Sequence, residues 1–271
     1  MTDAAPSTTS GVPAAPSKSF ANRIVDILLW GGLFVALLYA FDRVDIDRLP
    51  LLFGGSTSTG VLAGALLQPD FSRGGFLVSK MLETVMIALW GTVLAIFLAV
   101  PLGLLASRNI TPWYIQRPVR IVLDLLRSAP DLVIGLIFVI IVGLGPLPGV
   151  LALMVNTGGV LAKLFSEAVE SIDKGPVEGV RATGATPLHE IVWGVLPQVA
   201  PLWTSFALYR FESNARAATV LGLIGAGGIG QTLFESFQSF DFRSVSAITI
   251  IVVVTVSLID QLSQFMRKRL L

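Results

Sequence analysis

Read from its N-terminus, the chain alternates long apolar runs with short polar breaks. The runs fall near residues 24–41, 78–106, 118–143, 149–172, 191–216 and 243–266. At about 1.5 Å of rise per helical residue, roughly 20 residues cross the ~30 Å hydrocarbon layer of a bilayer. Six helical spans are therefore expected, the first short and the third containing Pro130, which leaves its boundaries soft. Residues 1–19, MTDAAPSTTSGVPAAPSKS, are small, polar and punctuated by proline, and read as a disordered tail. The first apolar run starts late, near Ile24, with no small-x-small site behind it, so it reads as a retained anchor. Segment 42–77 carries Gly54, Gly55, Gly60, Pro69, Gly74 and Gly75 and reads as a loop with room for an interfacial helix. Gly143–Gly149, GLGPLPG, reads as a tight turn between the third and fourth spans.

Composition strengthens this pattern. The chain is 54% hydrophobic and 14% charged, with a mean hydropathy of +0.78. Soluble domains carry about 25% charged residues, so a globule of this length could not cover its surface. A bilayer removes that requirement, and the fold class expected is an all-α membrane protein. There is no cysteine and a single histidine, His189. Disulfides, thiolate chemistry and clustered imidazole ligands are therefore excluded.

Net charge is +1, so the distribution of charge says more than its sum. With the N-terminus inside, Lys18, Arg23, Arg108, Arg117, Arg120, Lys174, Arg181, Arg267, Lys268 and Arg269 fall on the inner side. The outer side holds Arg43, Arg48, Arg73, Lys80 and Arg243, diluted by Asp42, Asp45, Asp47 and Asp70. That asymmetry, and the even number of spans, place both termini inside.

Charges within the spans each need a partner or a wet cavity. Asp124, Arg127 and Asp131 are spaced to share one face near the inner end of the third span, as a structural ion network or as lining of a path. Arg210, Glu212, Asn214 and Arg216 lie toward the far end of the fifth span, ahead of the run GLIGAGGIG that carries Gly225, Gly227 and Gly228. Two arginines beside glycine-rich backbone suggest a hold on an oxyanion. The alternative is that Glu212 pairs with Arg216 at i+4 and the glycines permit close packing.

Between the fourth and fifth spans lies SIDKGPVEGVRATGATPLHEIVWGVLP. A short helix is expected at 176–183, with Pro176 in its first turn and Gly184 ending it. Thr186-Pro187 then restarts the chain. Such a helix, held outside the bilayer, suits docking of a soluble partner.

This segment resembles the coupling loop of ABC-importer permeases, E-A-A-x3-G-x9-I-x-L-P. Glu178, Gly184, Leu196 and Pro197 match in spacing, whereas Gly179 and Val180 replace the alanines and Gly194 stands in place of isoleucine. The blocks GLGPLPGVLAL, LFSEAVESIDKGPVEGVRATGA, LPQVAP, LYRFESNARAATVLGLIGAGGIGQ and Asp260–Ser263 are similar to the phosphonate-type permease subfamily. The resemblance spans about residue 80 to the end. It implies a type-1 ABC importer permease fold and a multi-pass protein of the bacterial cytoplasmic membrane, working as a homodimer. It also implies two ATPase subunits that bind ATP and Mg, and an extracytoplasmic binding protein that delivers a phosphonate, phosphite or phosphate anion. Glu178, Gly179, Arg181, Ala182, Gly184, Ala185, Leu196 and Pro197 would meet the ATPase. Arg127, Arg210, Glu212, Asn214, Arg216, Gly225, Gly227 and Gly228 are candidates for the path. No G-x-x-x-x-G-K-[ST] loop occurs, so ATP would be handled by the partner, and no cofactor or nucleic acid is expected on this chain.

By this reading residues 1–19 form the tail, 20–77 the first span and outer loop, and 78–271 the transmembrane domain with a coupling loop at 173–190. A secondary anion transporter or channel is the first alternative, which would need coupling groups at mid-membrane and often internal repeats. A membrane enzyme is the second, and His189 on the inner loop is a poor start for one.

Overall fold

The computed structural model describes residues 20–44, 60, 64–65 and 67–270. The expected tail and most of the 42–77 loop, including Asp45, Asp47 and Arg48, lie outside the described residues. The chain divides into two units, Met1–Val61 and Leu62–Leu271. The first holds α1 (Phe20–Arg43), of which Ile24–Phe41 is long and apolar enough to cross a membrane.

The second unit is helical throughout among its described residues, and contains no strand. Its elements are α2 (Gly74–Ala106), α3 (Trp113–Ser128), α4 (Asp131–Val142), α5 (Pro146–Glu170), α6 (Lys174–Ala182) and the single turn α7 (Pro187–His189). A π-helical stretch, Glu190–Val195, leads into α8 (Leu196–Gly222), followed by α9 (Gly228–Gln238) and α10 (Phe242–Leu270).

Helices α2 and α5 form the centre, and small residues allow them to meet closely. Ala88, Gly91, Ala95, Ala99, Gly103 and Ala106 are buried along α2. A Cβ on Gly91 would stand 2.7 Å from Leu153 Cβ, and one on Gly103 would stand 2.9 Å from Phe165 Cβ. Close approach of this kind drives helix association in lipid, where hydrophobic transfer supplies little between helices. Deeper toward the α6 end, Phe165 stacks on Trp203 of α8 with centroids 4.4 Å apart, and Trp203 Nε1 donates to the Phe165 carbonyl at 3.3 Å.

Among the described residues five helices have crossing length and composition, with a sixth span if α3 and α4 count as one broken element. The continuous third span expected at 118–143 is thus corrected: α3 and α4 meet at an 89° bend. Pro130 is the cause. It lacks an N–H and disfavours helical backbone in the residue before it, and Ala129 is accordingly extended, with φ −77° and ψ 130°. The same bend separates Asp131, at the start of α4, from Asp124 and Arg127 on α3, so the three do not share a helix face. Helix α9 was not anticipated within the glycine-rich region, and its 11 residues are too few to cross a membrane.

Candidate functional site

Two assemblies carry the candidate residues. The first is built around α6. Asp173 caps its start by accepting from the Gly175 amide at 3.0 Å. Gly184 ends it at φ +79°, donating its amide to the Arg181 carbonyl at 3.0 Å. Only glycine occupies that backbone region at little cost. The expected helix at 176–183 is therefore present, starting two residues earlier.

Three contacts fasten α6 to the base of α8. Arg181 donates through Nε and Nη2 to the two carboxylate oxygens of Glu190, at 3.0 and 2.7 Å. The Arg181 pKa is raised by that hydrogen bond and by the Glu190 charge, so the guanidinium stays ionised at any physiological pH. Gln198 accepts from the Asp173 amide at 3.1 Å and donates to the Asp173 carbonyl at 3.2 Å and the Gly194 carbonyl at 2.6 Å. Between these, a Cβ on Gly194 would lie 3.0 Å from Val177 Cα. Gly194 stands where the loop pattern has isoleucine because α6 crosses directly over it. Glu178, Gly179, Arg181, Ala182 and Gly184 remain exposed, Ala185 and Leu196 are half-buried, and Pro197 is exposed at the base of α8. A 650 Å³ groove bounded by Lys174, Val177, Glu178, Arg181 and Glu190 opens beside this face.

The second assembly is a hydrogen-bonded chain of polar side chains across three helices. Thr92 of α2 donates to the Ala88 carbonyl at 2.7 Å and accepts from Asn214 Nδ2 of α8 at 2.8 Å. Asn214 Oδ1 accepts from Thr157 Oγ1 of α5 at 2.8 Å. Thr157 in turn accepts from Arg210 Nη2 at 3.0 Å, and Asn156 Nδ2 reaches the Ala129 carbonyl at the α3–α4 bend, at 3.3 Å. Thr157 lies about 17 Å from the start of α5 and about 20 Å from its end. The chain therefore crosses the span near its middle, and Asn214 and Thr157 are completely enclosed. Because α8 runs on to Gly222, Arg210 sits near its centre and not toward its far end as expected.

Two atoms in this region are buried without a hydrogen-bond partner: Asp131 Oδ1 and Arg210 Nε. An unmade buried hydrogen bond costs about 1–3 kcal/mol, more when charged. Asp131 borders a 290 Å³ cleft with Pro130, Leu132, Ala217, Val220 and Leu221.

The remaining path candidates are placed as follows. Arg127 Nε pairs with Asp124 at 3.1 Å, and Lys163 reaches the same carboxylate oxygen at 3.3 Å. Buried Glu212 binds Arg216 at 2.9 Å, as the packing alternative held, and also meets Arg267 of α10 at 3.6 Å. The glycine run does not leave its helix N-terminus open to an anion. Gly228 donates its amide to Glu83 Oε1 at 3.0 Å and Ile229 donates to Thr84 Oγ1 at 2.8 Å. A carboxylate of this chain already occupies the start of α9. Gly225, Gly227 and Gly228 all have positive φ, at +89°, +75° and +72°, and serve the turn that brings the Gly225 carbonyl to the Gly145 amide at 3.0 Å.

Glu83, Thr92, Asn156, Thr157 and Gln198 were not singled out from sequence, and Arg267 was noted only for its place on the inner side. Asn156-Thr157 inside LALMVNTGGVLA was the available signal, an uncharged polar pair at the centre of an apolar run. Among the described residues no group of three potential metal ligands occurs.

The described helices thus carry a short exposed helix fastened at the base of α8 and a polar seam near the middle of α5. The profile of binding-protein-dependent transport system inner membrane components matches residues 99–271, and the chain belongs to that family. It is a membrane-embedded permease subunit of the ABC-importer kind. It is 41% identical over 237 residues to the phosphite transport system permease protein PtxC of Stutzerimonas stutzeri, covering 87% of this chain and 86% of that one. It is 37% identical to the phosphate-import permease protein PhnE of Mycolicibacterium smegmatis, over 94% of this chain and 48% of that longer protein. Its fold matches a chain of the inward-facing MetNI methionine ABC transporter at a TM-score of 0.66 and 21% identity, over 74% of this chain and 99% of that one. The type-1 importer permease fold is thereby established.

Proposed function

We propose that two copies of this chain form the membrane path for a phosphorus oxyanion, of the phosphonate, phosphite or phosphate class, entering a bacterial cell. An extracytoplasmic binding protein delivers the anion. Two ATPase subunits, which bind ATP and Mg, grip α6 on the cytoplasmic side, where both termini also lie. The exposed face of α6, with Glu178, Gly179, Ala182 and Gly184, meets the ATPase, and the Arg181, Gly194 and Gln198 contacts pass its movement to α8. Because α8 carries Arg210, displacement of α6 reaches the polar seam through one continuous helix. A nucleotide-driven switch needs contacts that differ between the two states, and α6 supplies a surface for them.

The observation that carries the oxyanion reading is the pair of unsatisfied atoms at the bend, one donor on Arg210 and one acceptor on Asp131. A partly protonated phosphorus oxyanion offers the complements, a P–O⁻ acceptor for the guanidinium and a P–OH donor for the carboxylate. Arginine is suited to such groups because its N–H fork is planar and always charged. The names of the phosphite and phosphate relatives point to the same class.

The test uses the permease–ATPase complex in proteoliposomes with its binding protein. Arg210→Met is expected to lower oxyanion uptake at least about tenfold, equivalent to about 1.4 kcal/mol, while the complex still assembles. Unchanged uptake, or loss of assembly in place of loss of uptake, contradicts the reading.

A further inference from the structure

At the α6 end of the molecule, α2 and α5 terminate together beside the start of α3. The Arg108 amide donates to Glu170 at 2.8 Å, and Asn109 Nδ2 donates to the Val169 carbonyl at 2.7 Å. Arg120 donates Nε to the Ala106 carbonyl at 2.9 Å and pairs through Nη2 with Glu170. These contacts set a floor beneath a 640 Å³ pocket lined by Arg108, Thr111, Trp113, Arg117, Arg120 and Ile121. Its volume is in the range of about 300–1,000 Å³ common for small-molecule sites.

The charge of this pocket is unbalanced. Glu170 serves two of the three arginines: it is engaged by Arg120 and lies 3.9 Å from Arg108 Nε. Among the described residues Arg117 has no carboxylate within ion-pair distance, and its guanidinium lies over the Trp113 ring at 5.5 Å. Arg120 is mostly covered, whereas the Arg108 side chain is 72% exposed. The chain thus presents two accessible guanidinium groups above a neutralised third.

Beside the cations lies apolar surface. Trp113 and Tyr114 are exposed at the start of α3, and Ile121, Val122 and Leu125 are exposed further along it. Tryptophan and tyrosine concentrate where hydrocarbon meets headgroups, and this is the level at which the apolar α2 and α5 end. A ligand that fits both surfaces has a phosphate head and hydrocarbon tails.

We infer that this pocket binds the phosphate headgroup of an anionic phospholipid, held by Arg108 and Arg117 with its acyl chains along the exposed flank of α3. Basic pockets at helix ends recruit such lipids because each accessible cation adds attraction to the negative head. A lipid seated here would brace the α2–α3 junction, whose Asn109 and Ile110 also border the groove beside α6. The site is separate from the path and does not depend on which anion is carried.

The permease–ATPase complex would be reconstituted in nanodiscs of phosphatidylcholine with a minority of phosphatidylglycerol, and its retained lipids counted by native mass spectrometry. Wild type is expected to retain phosphatidylglycerol selectively. An Arg108→Gln/Arg117→Gln variant should lose that selectivity by about fivefold for each guanidinium removed, and Arg108→Lys/Arg117→Lys should keep most of it. A photoactivatable phosphatidylglycerol on wild type, which needs no variant to fold, should label the peptide containing Trp113–Leu125. Equal selectivity in the glutamine variant, labelling elsewhere, or absence of lipid from the assembled complex because a second copy or the ATPase covers the pocket would overturn the inference. Release of the lipid by millimolar inorganic phosphate would assign the pocket to a free oxyanion and overturn it equally.

Discussion

Replacement of Gly194 by leucine tests whether α6 moves α8 through the contacts seen here. The added Cβ would lie 3.0 Å from Val177 Cα and 3.2 Å from Val177 Cγ2. The first neighbour is backbone, so no change of rotamer relieves it, and leucine adds three further carbons in the same gap. Overpacking of this kind costs about 1–3 kcal/mol. Against it stand the Arg181–Glu190 pair, which solvent screening weakens, and the Gln198 hydrogen bonds to Asp173, worth about 0.5–1.5 kcal/mol each. The two sides are comparable, so α6 should lift from the base of α8 while the transmembrane core is untouched. Uptake and ATP hydrolysis would be measured together in proteoliposomes. Gly194→Leu should retain ATP hydrolysis and lower transport per ATP at least about tenfold, whereas Gly194→Ala, which asks Val177 to yield by only a few tenths of an ångström, should lose much less. Wild-type transport per ATP in the leucine variant would refute the reasoning.

Other expectations concern stability. Glu83→Ala removes the carboxylate that accepts from Gly228 at the start of α9, and should cost about 0.5–2 kcal/mol, read as a lower unfolding midpoint of the purified complex; an unchanged midpoint would deny Glu83 that role. Asn214→Leu leaves the enclosed Thr157 hydroxyl without its acceptor and Thr92 without its donor, and should destabilise by at least about 1–3 kcal/mol. Thr92→Val should lower the midpoint less, because Asn214 keeps its bond to Thr157; equal losses would mean that the seam is not linked as described.

Much of the architecture was legible because a bilayer imposes strong rules. Long apolar runs have few alternatives to helix, and Gly184 and Thr186-Pro187 mark the end of α6 and the restart after it, whereas the Asp173 cap that sets its start was not read from the sequence. The bend at Ala129–Pro130 was signalled by the proline, but its 89° size depends on what α4 packs against. The polar seam was harder to see. Thr92, Asn156 and Thr157 are uncharged and lie in apolar runs, and their meeting with Asn214 and Arg210 depends on the relative rotation of three helices. The glycine run suggested an anion site on sound grounds, but Glu83, 145 residues away in sequence, turns out to accept from the Gly228 amide. Sequence spacing carries no information about that partner.

The absence of cysteine makes one labelling experiment clean. Gly179 is exposed on α6 with open space around it, so Gly179→Cys introduces a single thiol without a clash. In intact cells a membrane-impermeant maleimide should leave this thiol unmodified. In inside-out vesicles stripped of the ATPase the same reagent should modify it, and bound ATPase should protect it. Modification from outside intact cells, or equal modification with and without the ATPase, would contradict the claim that α6 is the surface through which ATP hydrolysis drives this permease.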